Sequence, residues 1–195
     1  MARTQQERRE ETIARLLDAS IETIVEVGYA RASAAVIAKR AQVSDGALFR
    51  HFPTMSDFMA ATAREVMRRQ LELFSKRVAE IPADQLALQA AVPIYWELNT
   101  NATNTVMFEL MVAARTDEKL RVTLQEVLAD YSADIYNTAK QLPGADQFSE
   151  DAFNASVAIL TNTFIGTAIV RPVLPQPDME AGQIRLLTEL LTQPR

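Results

Sequence analysis

The sequence has no cysteine and a single histidine, His51. The first absence excludes disulfides, thiolate nucleophiles and cysteine-ligated metals. The second excludes zinc sites that need two or three imidazoles. There are only five glycines in 195 residues, with no glycine-rich loop to cradle a phosphate and no spaced carboxylate pair, so neither catalysis, a metal nor any cofactor is expected. The opening MARTQQERREE has no apolar segment and no small-residue cleavage motif, which argues against a targeting leader. The longest weakly polar stretch, 156–170, is interrupted by Thr161, Asn162, Thr163 and Thr167. It reads as too short and too polar to cross a bilayer. A cytoplasmic protein with no membrane partner is expected.

What is present suits a packed core. The chain is 48% apolar and 23% charged, which separates it from disordered polymers. The net charge of −5 argues at first against nucleic acid, but its distribution matters more than its sum. Residues 1–52 carry eight Lys and Arg against seven Asp and Glu, and residues 53–195 carry twelve against eighteen. The acidity lies in the C-terminal part, which is compatible with DNA contact at one end of the chain.

No strand-like alternation occurs, and the apolar residues recur at helical spacing, so the fold class is all-α. The periodicity predicts helices over 7–27, 33–40, 44–51, 54–80, 84–98, 104–114, 117–142, 150–170 and 178–191. Ile13, Leu16, Leu17, Ser20, Ile21 and Ile24 form one stripe on the first helix, and Gly28 ends it. Ser33 and Ser44 are helix-opening residues. Thr54 with Asp57 three residues on resembles a capping box, and Pro53 and Pro82 bracket the long fourth helix. No internal repeat or low-complexity segment is present.

The informative stretch is SAAVIAKRAQVSDGALFRHF, residues 33–52. Two short helices around the turn Ala41-Gln42-Val43 cannot bury a core alone, and the stripe on the first helix supplies the missing face. Ile37, Ala38, Ala41, Val43, Leu48 and Phe52 form the expected shared interior. This is the layout of a helix-turn-helix, whose second helix enters the major groove.

Several runs together carry a more specific resemblance. They are Leu17-Asp18-Ala19, Gly28-Tyr29, Ile37-Ala38-Lys39-Arg40-Ala41 and Val43-Ser44-x-Gly46-x-Leu48-Phe49-x-His51-Phe52-Pro53. In order and spacing they are similar to the DNA-binding domain of the tetracycline-repressor (TetR) family. More loosely, Phe108 to Asp117 resembles one ligand-domain type of that family, and the last two long helices resemble its dimerising pair. The resemblance implies an N-terminal helix-turn-helix domain over 1–53 and an α-helical ligand-binding and dimerisation domain over 54–195, with 54–80 as the linking helix. It implies a homodimeric regulator, released by a ligand, on double-stranded DNA at a palindromic operator.

Residue roles follow from that resemblance. Ser33 and Ser44 would hold phosphates at helix starts. Gly46 would allow close backbone approach, and the Ala47 methyl would meet a thymine methyl. Phe49 stands where the family usually has Tyr. Arg50 would read guanine, His51 would contact phosphate, and Arg3, Arg8 and Arg9 would form a basic arm for a minor groove. Blander readings stay open: Phe49 in the core, Arg50 on phosphate only, His51 packed beside the long helix, and the arginines on a solvated helix start.

The sequence departs from the family where it has Asp45 and Met55 for Lys, and Gln42 for Gly. An added anion and two lost cations should lower DNA affinity. Alternatively, Asp45 would accept from cytosine N4 or complement its helix dipole.

In the C-terminal part the expected effector is small and largely apolar, held by Trp96, Asn99, Met107, Phe108, Met111, Tyr131 and Asn162. Ordinary core packing is the competing reading for each. Glu97 and Glu109 would favour a cation, unless they face solvent or pair with a neighbour such as Arg115. The expected dimer interface comprises Val157, Leu160, Phe164, Ile165, Ala168, Leu187 and Leu190, the competing reading being that these helices only close the monomer. Two further functions remain open: a ligand-binding protein of the same fold with weak or lost operator binding, and an activator.

Overall fold

The computed structural model describes residues 4–83 and 85–191. Arg3 and Asp84, invoked above, lie outside the described residues, as does the side chain of Asp45. Among the described residues there are nine α-helices and no strand. They are α1 (Gln5–Val27), α2 (Ala34–Arg40), α3 (Asp45–His51), α4 (Met55–Ala79), α5 (Ala87–Thr100), α6 (Ala102–Ala114), α7 (Glu118–Lys140), α8 (Glu150–Val170) and α9 (Pro177–Leu190). Two 3₁₀ turns, Tyr29–Arg31 and Ala145–Gln147, were not anticipated. The chain divides into two compact units, Met1–Arg68 with Thr105–Leu128, and Arg69–Asn104 with Ala129–Arg195. Helices α4, α6 and α7 each contribute residues to both.

In the first unit α1 starts at a full capping box. The Thr4 hydroxyl accepts from the Glu7 N–H, and the Glu7 carboxylate accepts from the Thr4 N–H. Leu16, Ser20 and Ile24 recur at helical spacing on its buried face, as the apolar stripe requires. Ser20 is a polar member of that face. Its Oγ lies 3.0 Å from the Thr62 hydroxyl of α4, so its burial leaves no polar atom unsatisfied. Gly28, at φ +80°, closes the helix and donates to the Ile24 carbonyl, a conformation that a Cβ would oppose.

The turn between α2 and α3 bends at Gln42, whose φ is +54°. The left-handed region costs a residue with a Cβ roughly 1–2 kcal/mol. The chain tolerates it because Ile37, Ala38 and Leu48, all fully buried, fix the two helices on either side.

The second unit is built around aromatic side chains. Tyr95 of α5 meets Phe74 of α4 at 5.9 Å and Phe164 of α8 at 6.1 Å between ring centroids, and Trp96 stands edge-on to Phe164 at 5.1 Å. Where α5 ends and α6 begins, Gln70 and Asn101 exchange side-chain amide hydrogen bonds at 3.0 Å each. Asn101 also accepts from the Asn104 N–H. The helix over 84–98 expected from periodicity starts later, at Ala87, and keeps Pro93 inside it on its exposed side.

Because Gln42 holds a backbone conformation that glycine adopts freely, Gln42→Gly is expected to stabilise the first unit by about 1 kcal/mol. Thermal denaturation of the two proteins checks this, as an upward shift in Tm with unchanged helix content.

Candidate functional site

Helix α3 has seven residues, and its burial alternates as a helix packed on one side should. Ala47 and Leu48 point inward at 4% and 0% exposure, whereas Phe49 is 49% exposed and Ser44, Gly46 and Arg50 are exposed. Two readings are thereby corrected. The Ala47 methyl is part of the interior and is not presented to a thymine, because it sits on the face that packs against the rest of the unit. Phe49 is not a core residue. A Cβ built on Gly46 meets nothing within 4 Å, so the surface is open to close approach at that point. Ser33 caps α2 through its hydroxyl, which accepts from the Val36 N–H at 3.4 Å. Ser44 occupies the same place before α3 with no such bond.

The neighbouring cations are partly committed. Arg40 of α2 pairs with Glu22 and Glu26 of α1, and the Arg31 guanidinium donates to the Val27 carbonyl at 2.7 Å. These contacts pin α2 and the 3₁₀ turn onto α1. They leave Arg50 and His51, at the C-terminal end of α3, as the basic side chains nearest the exposed Phe49 in sequence. His51 is half-buried, and burial, then the charges of Arg9 and Arg50, hold its imidazole below the ordinary histidine value.

A set of polar contacts inside the first unit was invisible in the sequence. The Glu109 carboxylate of α6 accepts from the Tyr29 N–H at 3.2 Å and lies beside Gly28. It thus fixes the chain where α1 ends. At the start of α4, Thr54 and Asp57 cap one another as the sequence suggested, and Lys119 of α7 adds an ion pair to Asp57 at 2.8 Å and a hydrogen bond to Thr54 at 3.0 Å. Ser56 donates to Asp117. Glu109 is therefore occupied with backbone, and Glu97 pairs with Arg77 at 2.9 Å on an exposed surface. Neither carboxylate waits for a cationic ligand.

The second unit contains an apolar cavity of about 40 Å³. Helix α5 contributes Leu88, Val92 and Tyr95 to its wall, and α8 contributes Phe153, Val157 and Leu160. Phe74, Ile135, Leu142 and Leu191 close much of the remainder. None of the seven residues expected around a ligand lines this cavity. Met107, Phe108 and Met111 belong to the first unit. Trp96 packs on Phe164, the buried Asn99 amide donates to the Tyr95 carbonyl at 2.9 Å, and Asn162 is exposed. Tyr131 is a half-buried phenol whose hydroxyl is pushed far above its ordinary value by desolvation, with Tyr95 adding to the effect.

The dimer residues need a similar correction of phase. Val157 and Leu160 wall the cavity, and Phe164 and Leu187 are buried within the single chain. Ala168 is also buried, and Ile165 is half-buried. The exposed apolar residues are instead Ile159, Ile169 and Val170 of α8 with Met179, Leu186 and Leu190 of α9. Of the expected set only Leu190 is among them. Helix α8 is apolar on both faces, and by length and composition it passes as a membrane span, contrary to the reading of 156–170 as too short and too polar. Its burial of Phe153, Leu160, Phe164 and Ala168 against the unit's core gives that composition another cause. Among the described residues no cluster of His, Asp and Glu is arranged to hold a metal ion.

A sequence model of the bacterial regulatory proteins of the tetR family matches residues 16–62. Over 192 residues the chain is 67% identical to an HTH-type transcriptional regulator of Mycobacterium tuberculosis, Rv2912c, with 98% of each chain covered. Two crystal structures share the fold at low identity. FadR from Bacillus subtilis in complex with stearoyl-CoA has a TM-score of 0.68 at 20% identity, covering 91% of this chain and 96% of that one. The multidrug binding protein EbrR complexed with ethidium has a TM-score of 0.67 at 23% identity, covering 92% and 98%.

The depressed His51 value has a consequence for any phosphate it meets. A nearby phosphate favours the imidazolium, so binding takes up a proton between the lowered free-state value and the higher bound-state one. DNA affinity is expected to rise as pH falls through that interval and to be flat above it, and His51→Gln should abolish the slope. Fluorescence anisotropy titrations across pH check this; an identical slope in the variant would contradict it.

Proposed function

The chain belongs to the TetR family of HTH-type transcriptional regulators, and from that premise we propose that it is a homodimeric repressor that binds a palindromic operator and is released by a small, largely apolar effector. The observation that carries this reading is the outer face of α3. A seven-residue helix is held by a buried core while Gly46, Phe49 and Arg50 are left exposed, an aromatic ring beside a guanidinium on its outer face. Arg50 is the residue suited to read guanine, with discrimination of about 1–3 kcal/mol, and Phe49 packs on the sugar-phosphate edge. Ser33, Ser44 and His51 position the helix on phosphates. In this reading 1–53 is the DNA-binding domain, 54–195 serves effector binding and dimerisation, and the protein works in the cytoplasm.

Dimerisation is supported by the exposed apolar residues Ile159 and Ile169 of α8 and Leu186 and Leu190 of α9, which two copies would bury around a twofold axis. The axis sets two recognition helices roughly 34–36 Å apart, one turn of DNA. The effector occupies the cavity of the second unit. Helix α4, which contributes residues to both units, carries its effect to the DNA-binding end, and release requires the effector to bind the DNA-free form more tightly.

Selection of bound fragments from sheared genomic DNA by the purified protein at modest salt tests the reading. The expected outcome is enrichment of one palindromic sequence, with affinity falling as salt rises. A folded protein that enriches nothing would instead favour a ligand-binding protein whose DNA-binding end has been weakened by Asp45 and Met55, each in place of lysine.

A further inference from the structure

The core of the second unit falls into two buried clusters, one centred on Phe74, Tyr95, Leu98 and Phe164 and the other on Leu88 and Phe153, with the half-buried Phe148 packed against both. The cavity takes wall residues from both. Close-packed interiors do not ordinarily leave apolar space of this kind unfilled.

Among the described residues, Tyr95 is the one lining residue with a polar side chain, and its hydroxyl is already engaged. Thr161 donates its proton to the Val157 carbonyl at 2.8 Å, so in the 2.8 Å contact between Tyr95 and Thr161 the tyrosine is the donor. Tyr95 therefore offers a guest at most a lone pair. Burial also raises its value, which keeps it a neutral phenol. A cation or a carboxylate placed in this space would lose its hydration and meet no counter-charge, a cost that apolar contact does not repay.

Size narrows the class further. A cavity of about 40 Å³ exceeds the ~10–15 Å³ that one water needs, but water there lacks the two to four polar partners that hold it. It is also smaller than the roughly 150 Å³ apolar cavity that accepts benzene. Even a single ring therefore needs half-buried residues such as Leu142 to move aside, and a fused tricyclic cation or a long acyl chain needs far more room still.

We propose that the effector is an uncharged, compact, hydrocarbon-like molecule, a single aromatic ring or a short alkyl chain, held between α5, α7 and α8. This rests on the reading of the chain as an effector-released regulator and specifies the effector's class. It differs from what the structural relatives hold, an ethidium cation in one and stearoyl-CoA in the other.

The test uses the full chain without DNA and three probes that share one ring: toluene, benzoate and benzylammonium. Binding is read by thermal denaturation and by the fluorescence of Trp96, the single tryptophan. Toluene is expected to raise Tm with concentration and to bind at least about 100-fold more tightly than either charged probe. Methyl NMR shifts at Val92, Val157 and Leu160 in the unaltered protein locate it, and Ala139→Phe or Val157→Phe, each placing a ring in the void, should remove the response. A charged probe binding as tightly as toluene, shifts confined to other residues, or no response to toluene would each overturn the proposal. Because no DNA is present, these outcomes are independent of whether a palindrome is enriched.

Discussion

A seven-residue helix cannot hold itself folded in water, because isolated helices below about 12–15 residues are marginal even with favourable sequences. Both α2 and α3 are of that length, so everything α3 presents depends on burial elsewhere. Leu16 and Ile24 of α1, Ile37 of α2, Leu48 of α3 and Phe58 of α4 are at most 1% exposed and together replace the stability that the short helices lack. Phe52 packs on Phe58 at 5.0 Å where the chain passes from α3 to α4. The orientation of α3 is thereby set by apolar packing on its inner side, which frees its outer side for residues chosen by function.

The polar contacts of the first unit refine that placement. Arg40 with Glu22 and Glu26 ties α2 to α1, Glu109 of α6 with the Tyr29 N–H holds the chain where α1 ends, and Lys119 of α7 with Asp57 and Thr54 holds the start of α4. The exposed ion pairs among them contribute little stability on their own, but each restricts where a helix terminus sits. The second unit is organised differently. Its aromatic side chains pack closely about Tyr95 and Phe164, yet an apolar void remains beside them.

Much of this was legible from residue order. Helix boundaries followed the punctuation closely, because Gly28, Ser33, Ser149 and the Thr54–Asp57 pair act locally and their partners lie within four residues. The helix-turn-helix was legible because its core residues recur at fixed spacing over a short span. The cavity was not. Its wall consists mostly of residues such as Leu88, Val92 and Leu160, whose side-chain types are those of any core, so nothing in their identities singled them out. Helix α8 misled for a related reason. Phe153, Leu160 and Phe164 on one face and Ile159 and Ile169 on the other are all apolar, so periodicity alone could not tell the inward stripe from the outward one. The Glu109–Tyr29 contact spans 80 positions, and nothing local to either residue announces it.

The central claim is that sequence is read by the exposed face of α3. The most direct measurement compares the unaltered protein with Arg50→Ala on an enriched palindrome and on a scrambled duplex of equal length, over a series of salt concentrations. The expected result is a loss of about tenfold or more on the palindrome with a much smaller change on the scrambled duplex, and a relaxed preference at one base pair of each half-site. Equal losses on both duplexes would reduce Arg50 to a phosphate contact, and no loss on either would contradict the account.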